Sequence, residues 1–273
     1  SYSVTGVQTC ALPIWVADAL LLAPRLARDP HPSVRARLAQ TLGTRAEPAH
    51  RDLLVGLARD PDPEVRRQTA EALANFPEPA ARDALAALLG DPRALVRRQA
   101  EESLVLIHPR CPVDQAVAQR LAAPPATRYH AFRILGRLDS RPHAPPIAER
   151  LELETEPANL AAVIFALGLL ENRPSAPAIA ARADHPEPTV RAETATALGR
   201  LADPATFPAL QKLAFDPDET VRQSALVAIG RTADGAAFGP TLLKVLQSVR
   251  EPAMTSANRG AAAWAAARCR PVH

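Results

Sequence analysis

Apolar residues return along this chain at helical spacing, in pairs of short amphipathic stretches. Residues 48–75, PAHRDLLVGLARDPDPEVRRQTAEALAN, hold one such pair. Leu53, Leu54, Leu57 and Ala58 form one apolar stripe, and Val65, Thr69, Ala70 and Leu73 form a second. Steps of three and four residues predict an amphipathic helix for each stripe. Asp60-Pro61-Asp62-Pro63 separates them. Asp62 is placed to cap the second helix, and Pro63 fills its first position, where a missing N–H costs nothing. The predicted unit is a helical hairpin.

The hairpin recurs. Val34, Val65, Val96, Thr127, Asn159, Val190 and Val221 mark its register, at steps of 31, 31, 31, 32, 31 and 31 residues. Eight residues before the marker stand Leu26, Leu57, Leu88, Leu151 and Leu213, with Gln119 and Arg182 as exceptions. Eight after it stand Leu42, Leu73, Leu104, Leu135, Leu167, Leu198 and Ile229. Gly43, Gly136, Gly168, Gly199 and Gly230 come next, where glycine is expected to end the second helix. An eighth unit follows after a step of 37 residues, with Asn258-Arg259 at the marker and an Ala-rich terminal helix. A period near 31 residues means one stacked supersecondary unit. The expected fold is all-α, an α-solenoid of about eight antiparallel hairpins. The units lie near 15–45, 46–76, 77–108, 109–139, 140–171, 172–202, 203–232 and 233–270, in a single repeat domain over 15–273.

The pattern DPxPxVRxxxxxxLG resembles HEAT-like repeats, in particular the short bacterial kind named after phycobilisome lyases. The resemblance covers residues 15 to about 270. It implies a right-handed superhelix with the second helices lining the concave face. Members of that family are mostly scaffolds and adaptors, with a few enzymes among them.

Residues 4–14, VTGVQTCALPI, do not follow the repeat and resemble a translated sequencing-library adapter. Residues 1–14 are therefore expected to be non-native, disordered or unrelated to the fold. With Cys10 set aside, Cys111 and Cys269 are too few and too scattered for a disulfide framework. A cytoplasmic location is favoured, with a leader or an upstream domain left open.

Composition changes the picture in two places. Only 4% of residues are aromatic, so the core must be Leu, Val and Ala between closely packed helices. Arginine outnumbers lysine 30 to 2, yet the net charge is only +3, without the lopsided balance or basic run of a nucleic-acid binder. No apolar run reaches membrane-spanning length.

The arginines also have a register. Arg35, Arg66, Arg97, Arg128, Arg191 and Arg222 follow the marker, and Asp29, Asp60, Asp91, Glu154 and Asp216 precede it by five residues, with Asp184 one position earlier. Acids and bases at fixed positions of stacked units predict an inter-repeat ladder of ion pairs and bonds to turn carbonyls. A row facing phosphates would need no matching acids.

The exceptions are more informative. Positions two, three and six after the marker lie off the buried stripe and read as a wet surface in repeats one to three, including Arg98 and Glu102. Repeat four instead places Tyr129, His130 and Arg133 there. Repeat five places Ala161, Ala162 and Phe165, and replaces the ladder arginine by Leu160. Tyr129, His130, Arg133, Phe165, Arg98 and Glu102 are thus the candidate binding residues, since aromatic and arginine clusters anchor protein interfaces. The alternative is that the helix over 157–170 is simply more buried.

Catalytic and cofactor signals are missing. No Walker loop, GxGxxG or GxSxG occurs. No His-Glu dipeptide occurs, which sets aside the HEAT-repeat hydroxylases that bind two irons. His108 and Cys111 lack a second ligand pair, so no metal or cofactor is expected. The reading is a scaffold or adaptor that binds another macromolecule, with protein the favoured partner. Nucleic acid is disfavoured and the oligomeric state is open. The alternatives are a DNA-glycosylase-like protein using Tyr129, Phe165, Arg133 and Glu102 or Glu193, a tetrapyrrole lyase or chaperone, and the regulatory tail of a larger enzyme.

Overall fold

The structure, a computed structural model, describes residues 22–232, 234–247 and 255–269. The adapter-like segment and the tail at 270–273 lie outside the described residues. The chain divides into two compact units, Ser1–Ala116 and Val117–His273. Among the described residues all regular structure is helical, and eight hairpins follow one another as an α-solenoid.

The first unit holds α1 (Ala23–Leu26), α2 (Pro32–Arg45), α3 (Arg51–Leu57), α4 (Pro63–Leu73), α5 (Pro79–Leu88) and α6 (Ala94–Ile107). A short helix, α7 (Asp114–Ala118), carries the division. The second unit holds α8 (Pro125–Arg137), α9 (Ala144–Arg150), α10 (Pro157–Leu169), α11 (Ala176–Ala180), α12 (Pro188–Leu201), α13 (Phe207–Leu213), α14 (Glu219–Thr232), α15 (Gly235–Gln247) and α16 (Ser256–Arg268). Second helices pack on second helices: α2, α4 and α6 in one unit, and α8, α10, α12, α14 and α16 in the other. The apolar stripes meet there. Val65, Val96, Val190 and Val221, and the leucines and isoleucine eight residues after each marker, are almost fully buried.

The turns use the Asp-Pro chemistry visible in the sequence. Asp62 Oδ1 accepts the Glu64 and Val65 backbone N–H groups, at 2.9 and 3.1 Å, and so caps α4. Asp218 does the same for α14 through Thr220 and Val221.

Glycine plays a different part from the one expected. Gly43, Gly136, Gly168 and Gly199 lie inside their helices, and no described glycine has positive φ. The left-handed residues that end second helices are Ala46, Asp139, Glu171 and Ala202. Glycine serves packing instead. A Cβ on Gly199 would stand 2.7 Å from the Ala228 Cα, and one on Gly168 2.9 Å from the Ala197 Cα. The glycine of one repeat takes the alanine of the next, which lets the two backbones approach closely.

Arginines staple each turn to the following repeat. Arg66 donates from Nε and Nη2 to Asp91, at 2.6 and 3.1 Å, and from Nη1 to the Asp60 and Pro61 carbonyls of its own turn. Arg35 meets Asp60, Arg128 meets Glu154 and Arg191 meets Asp216 in the same two-pronged way. Burial is the strongest single influence and raises the Asp60, Glu154 and Asp216 carboxyls. The arginine bonds, the added bonds from the Asp62 N–H, Asn159 and the Asp218 N–H, and the attraction of nearby arginines together hold all three below the ordinary carboxylate range. Four members depart from the series. Asp184 pairs with Lys212, and repeat five offers it Leu160 in place of an arginine. Among the described residues, the Asp29 side chain accepts only the His31 N–H. Arg97 bonds the Asp91 and Pro92 carbonyls, and among the described residues its buried Nε has no partner; in the sequence, Ala122 takes the register position of the next acid. Arg222 donates to the Asn258 Oδ1 at 3.0 Å, an amide in place of an acid.

Candidate functional site

In the second unit, successive second helices bring the irregular positions of repeats four to seven side by side. Tyr129 and Arg133 come from α8, Phe165 from α10, and Glu193 and Arg200 from α12. Tyr129 and Phe165 are half-buried, held by their helices but not sealed from the surface. The Arg133 guanidinium lies 5.6 Å from the Tyr129 ring centre and 5.4 Å from that of Phe165. Arg200 approaches the Phe165 ring to 5.9 Å. Two guanidiniums and two rings therefore form one cluster, with each cation within the range over which a ring quadrupole attracts it.

His130 does not belong to the exposed cluster. It is only 7% exposed, with its ring edge-on to Tyr129 at 5.1 Å between centres. Ala162, at the same place in repeat five, is buried as well. In repeats four and five the third position after the marker is thus buried, whereas in the other repeats it is exposed or half-buried, and the second and sixth positions of repeats four and five reach the surface. A helical wheel of one helix does not show such packing, which is why the sequence placed His130 outside. Arg98 and Glu102 belong to the first unit, where they are exposed and approach each other at 3.6 Å along α6.

Two contributors were not singled out as site residues. Arg200 sits ten residues after its marker, one turn beyond the column that holds Arg133 and Phe165, and its only signal is a basic residue in the last turn of α12. Burial pushes the Arg200 pKa down and Arg231 pushes it the same way, with Glu193 opposing both. Its Nη1 is buried and has no hydrogen-bond partner. Glu193, considered above only as a catalytic acid, sits three residues after its marker and is half-buried. Burial pushes its carboxyl up, and Arg200 and Arg133 pull it partly back. Unpaired, desolvated charges beside an open groove are a mark of functional sites. Further along the same column Trp264 is 43% exposed, with the Arg268 guanidinium 5.1 Å from its ring.

A groove of about 540 Å³ runs beside the cluster, along the N-terminal halves of α8, α10, α12 and α14. Tyr129 and Glu193 line it, with Ala158 and Ala161 among the small side chains and Thr196 and Ser224 among the hydroxyls. Among the described residues no three side chains converge that could hold a metal ion, and Cys111 and Cys269 are both free thiols. Among the same residues no helix is long and apolar enough to cross a membrane.

Stacked hairpins with a side-chain face on their second helices define a helical-repeat protein. The sequence profile of HEAT repeats matches residues 19–105 and 175–267, about two thirds of the chain, and the chain belongs to that family. Repeats four and five fall between the matched segments. Comparison with curated proteins finds no match. Among solved structures, the complex of CpcE and CpcF of phycocyanin lyase from Nostoc sp. PCC7120 is similar at 21% identity and a TM-score of 0.50, over 80% of this chain and 94% of that one. An engineered protein is similar at 19% identity and a TM-score of 0.54, over 92% and 78%. Kap121p bound to Pho4p reaches a TM-score of 0.74 at 15% identity, over 95% of this chain and 34% of that one. At these identities the likeness is one of fold.

Proposed function

We propose that this chain binds another protein, using the second-helix face of repeats four to seven in the second unit. One observation carries the reading. Where repeats two and three present Arg67, Gln68, Glu71, Arg98, Gln99 and Glu102, repeats four and five present Tyr129, Arg133 and Phe165 in mutual contact. Half-buried aromatics locked by arginines are the usual anchors of an interface. Stacked helices hold them in place before binding, so little ordering entropy is lost on association. The fold is compatible: CpcE is found in complex with CpcF, and Kap121p bound to Pho4p.

Site-specific photo-crosslinking tests it. The photoreactive phenylalanine analogue p-benzoylphenylalanine replaces Tyr129 or Phe165 in turn, with Glu71 of the first unit as control. Discrete protein adducts from the two aromatic positions and none from Glu71 are expected. Absence of adducts, or one pattern from all three positions, would overturn the reading. Duplex DNA bound with a steep salt dependence would move the partner to nucleic acid. A bilin absorbance change on mixing would move it to a tetrapyrrole.

A further inference from the structure

The groove beside the aromatic cluster has a chemistry of its own. We infer that it receives a positively charged side chain, a lysine or an arginine, from the protein partner, an inference that rests on the protein-binding reading above. Glu193 faces the groove, and among the described residues no hydrogen bond or ion pair reaches its carboxylate. An acid held there for architecture would have a donor, as Asp60, Glu154 and Asp216 each have theirs. A second carboxylate, Asp218, also lines the groove. Its Oδ1 accepts two backbone N–H groups, and its Oδ2 accepts none among the described residues.

No lysine or arginine lines the groove. The basic side chains nearby lie outside the groove: Arg191 pairs with Asp216, and Arg133 and Arg200, which attract Glu193 without bonding it, lie over the Phe165 ring. Tyr129 supplies an aromatic wall, and Ala158 and Ala161 supply an apolar one for the methylene stem of a long side chain. Two carboxylates, one ring and an apolar lining complement an organic cation with an aliphatic stem. A carboxylate or phosphate would meet two like charges there and no donor cation.

The test titrates the whole chain with N-acetylarginine methylamide and, separately, with its uncharged citrulline counterpart. Binding is read from the ¹³C-methyl shifts of Ala158, Ala161 and Ala192. A saturable shift with the arginine compound is expected, at least fivefold weaker with citrulline. Glu193→Gln should weaken the arginine compound at least fivefold. That variant removes a desolvated charge, so it should fold at least as well as the parent protein. Ala161→Phe, which places a ring in the groove and keeps the Glu193 carboxylate, should abolish the shift. Equal binding of the two compounds, or unchanged binding in Glu193→Gln, overturns the inference. The two readings separate cleanly. Adducts from Tyr129 and Phe165 without arginine binding sink the cation site alone, whereas arginine binding without adducts sinks the protein partner alone.

Discussion

Helices α4 and α10 hold the same place in their repeats and meet the next repeat by different means. In α4 the marker is Val65, and the Arg66 that follows it grips Asp91 of repeat three while Arg67, Gln68 and Glu71 face outward. In α10 the marker is Asn159, Leu160 replaces the arginine, and eight residues of the helix are buried. An arginine there would have reached towards repeat six, and Asn159 does not replace it: it acts at the preceding junction, with repeat four. Asn159 Nδ2 bonds the Glu154 Oε2 and the Pro125 carbonyl, both at 3.1 Å, and so completes the carboxylate that Arg128 grips from repeat four. Asn258 does related work at the last junction, as the acceptor for Arg222. The difference shows that second-helix packing is common to the junctions within each unit, while the arginine staple can be left out. Repeat five is therefore free to spend its outer positions on Phe165.

The comparison can be broken first at the packing shared by both kinds of junction. Gly168→Val and Gly199→Val each drive a side chain into the alanine of the next repeat, in one case from the repeat without a ladder arginine and in the other from one that has it. Each should lose about 3 kcal/mol, the upper end of ordinary overpacking, because the obstacle is backbone. Thermal unfolding followed by circular dichroism measures it. A loss at Gly199 alone would show that the ladder, and not the close approach, governs stacking.

Arg191→Ala should come next, at about 2 kcal/mol. It leaves the buried Asp216 without its partner, and the figure is below that of a fully buried pair because Arg191 is part-exposed. The pH dependence has a definite sign. Asp216 is held below its ordinary value of 3.8, so the stability it contributes is present above about pH 4 and disappears as the pH falls through its lowered value. Denaturant midpoints of the parent and Arg191→Ala should therefore converge towards acid pH. Midpoints that stay equally far apart would mean the arginine acts through its stem or its carbonyl bonds.

Asn159→Leu should cost about 1–2 kcal/mol, as it removes two buried hydrogen bonds and leaves a carboxylate oxygen of Glu154 short of a donor. Stability unchanged in urea would show that Arg128 alone satisfies Glu154. Arg97→Ala should have the smallest effect, under about 1 kcal/mol, since Arg97 keeps its own turn but grips no acid. If it cost as much as Arg191→Ala, the carbonyl bonds would be the main part of every staple.

Much of this was legible in one sequence. The hairpins, their Asp-Pro caps and the arginine series have local or periodic causes, and a period of 31 residues lets seven copies vouch for each position. Tyr129, Arg133 and Phe165 stood out because they break that period. Other features depend on a neighbour. His130 was misplaced because its counterparts Arg37, Gln68 and Gln99 reach the surface, and its burial depends on packing that one helix does not show. Gly199 looked like a helix end because its partner, Ala228, is 29 residues away. Arg200 and Glu193 drew little notice, since an arginine near a helix C-terminus and a glutamate on a helix are ordinary choices.

The sequence by itself determined the helical hairpin, its repetition and the place where the repetition fails, because turn chemistry and apolar spacing act over a few residues. Tertiary structure decided which side chains meet. It set Arg133 against two rings on different helices, brought Asn159 to the carboxylate that Arg128 grips, and left Glu193 without a donor beside an open groove. The reason is physical. Desolvation and close approach depend on what lies across a helix–helix seam, and one strand of residues does not contain that distance.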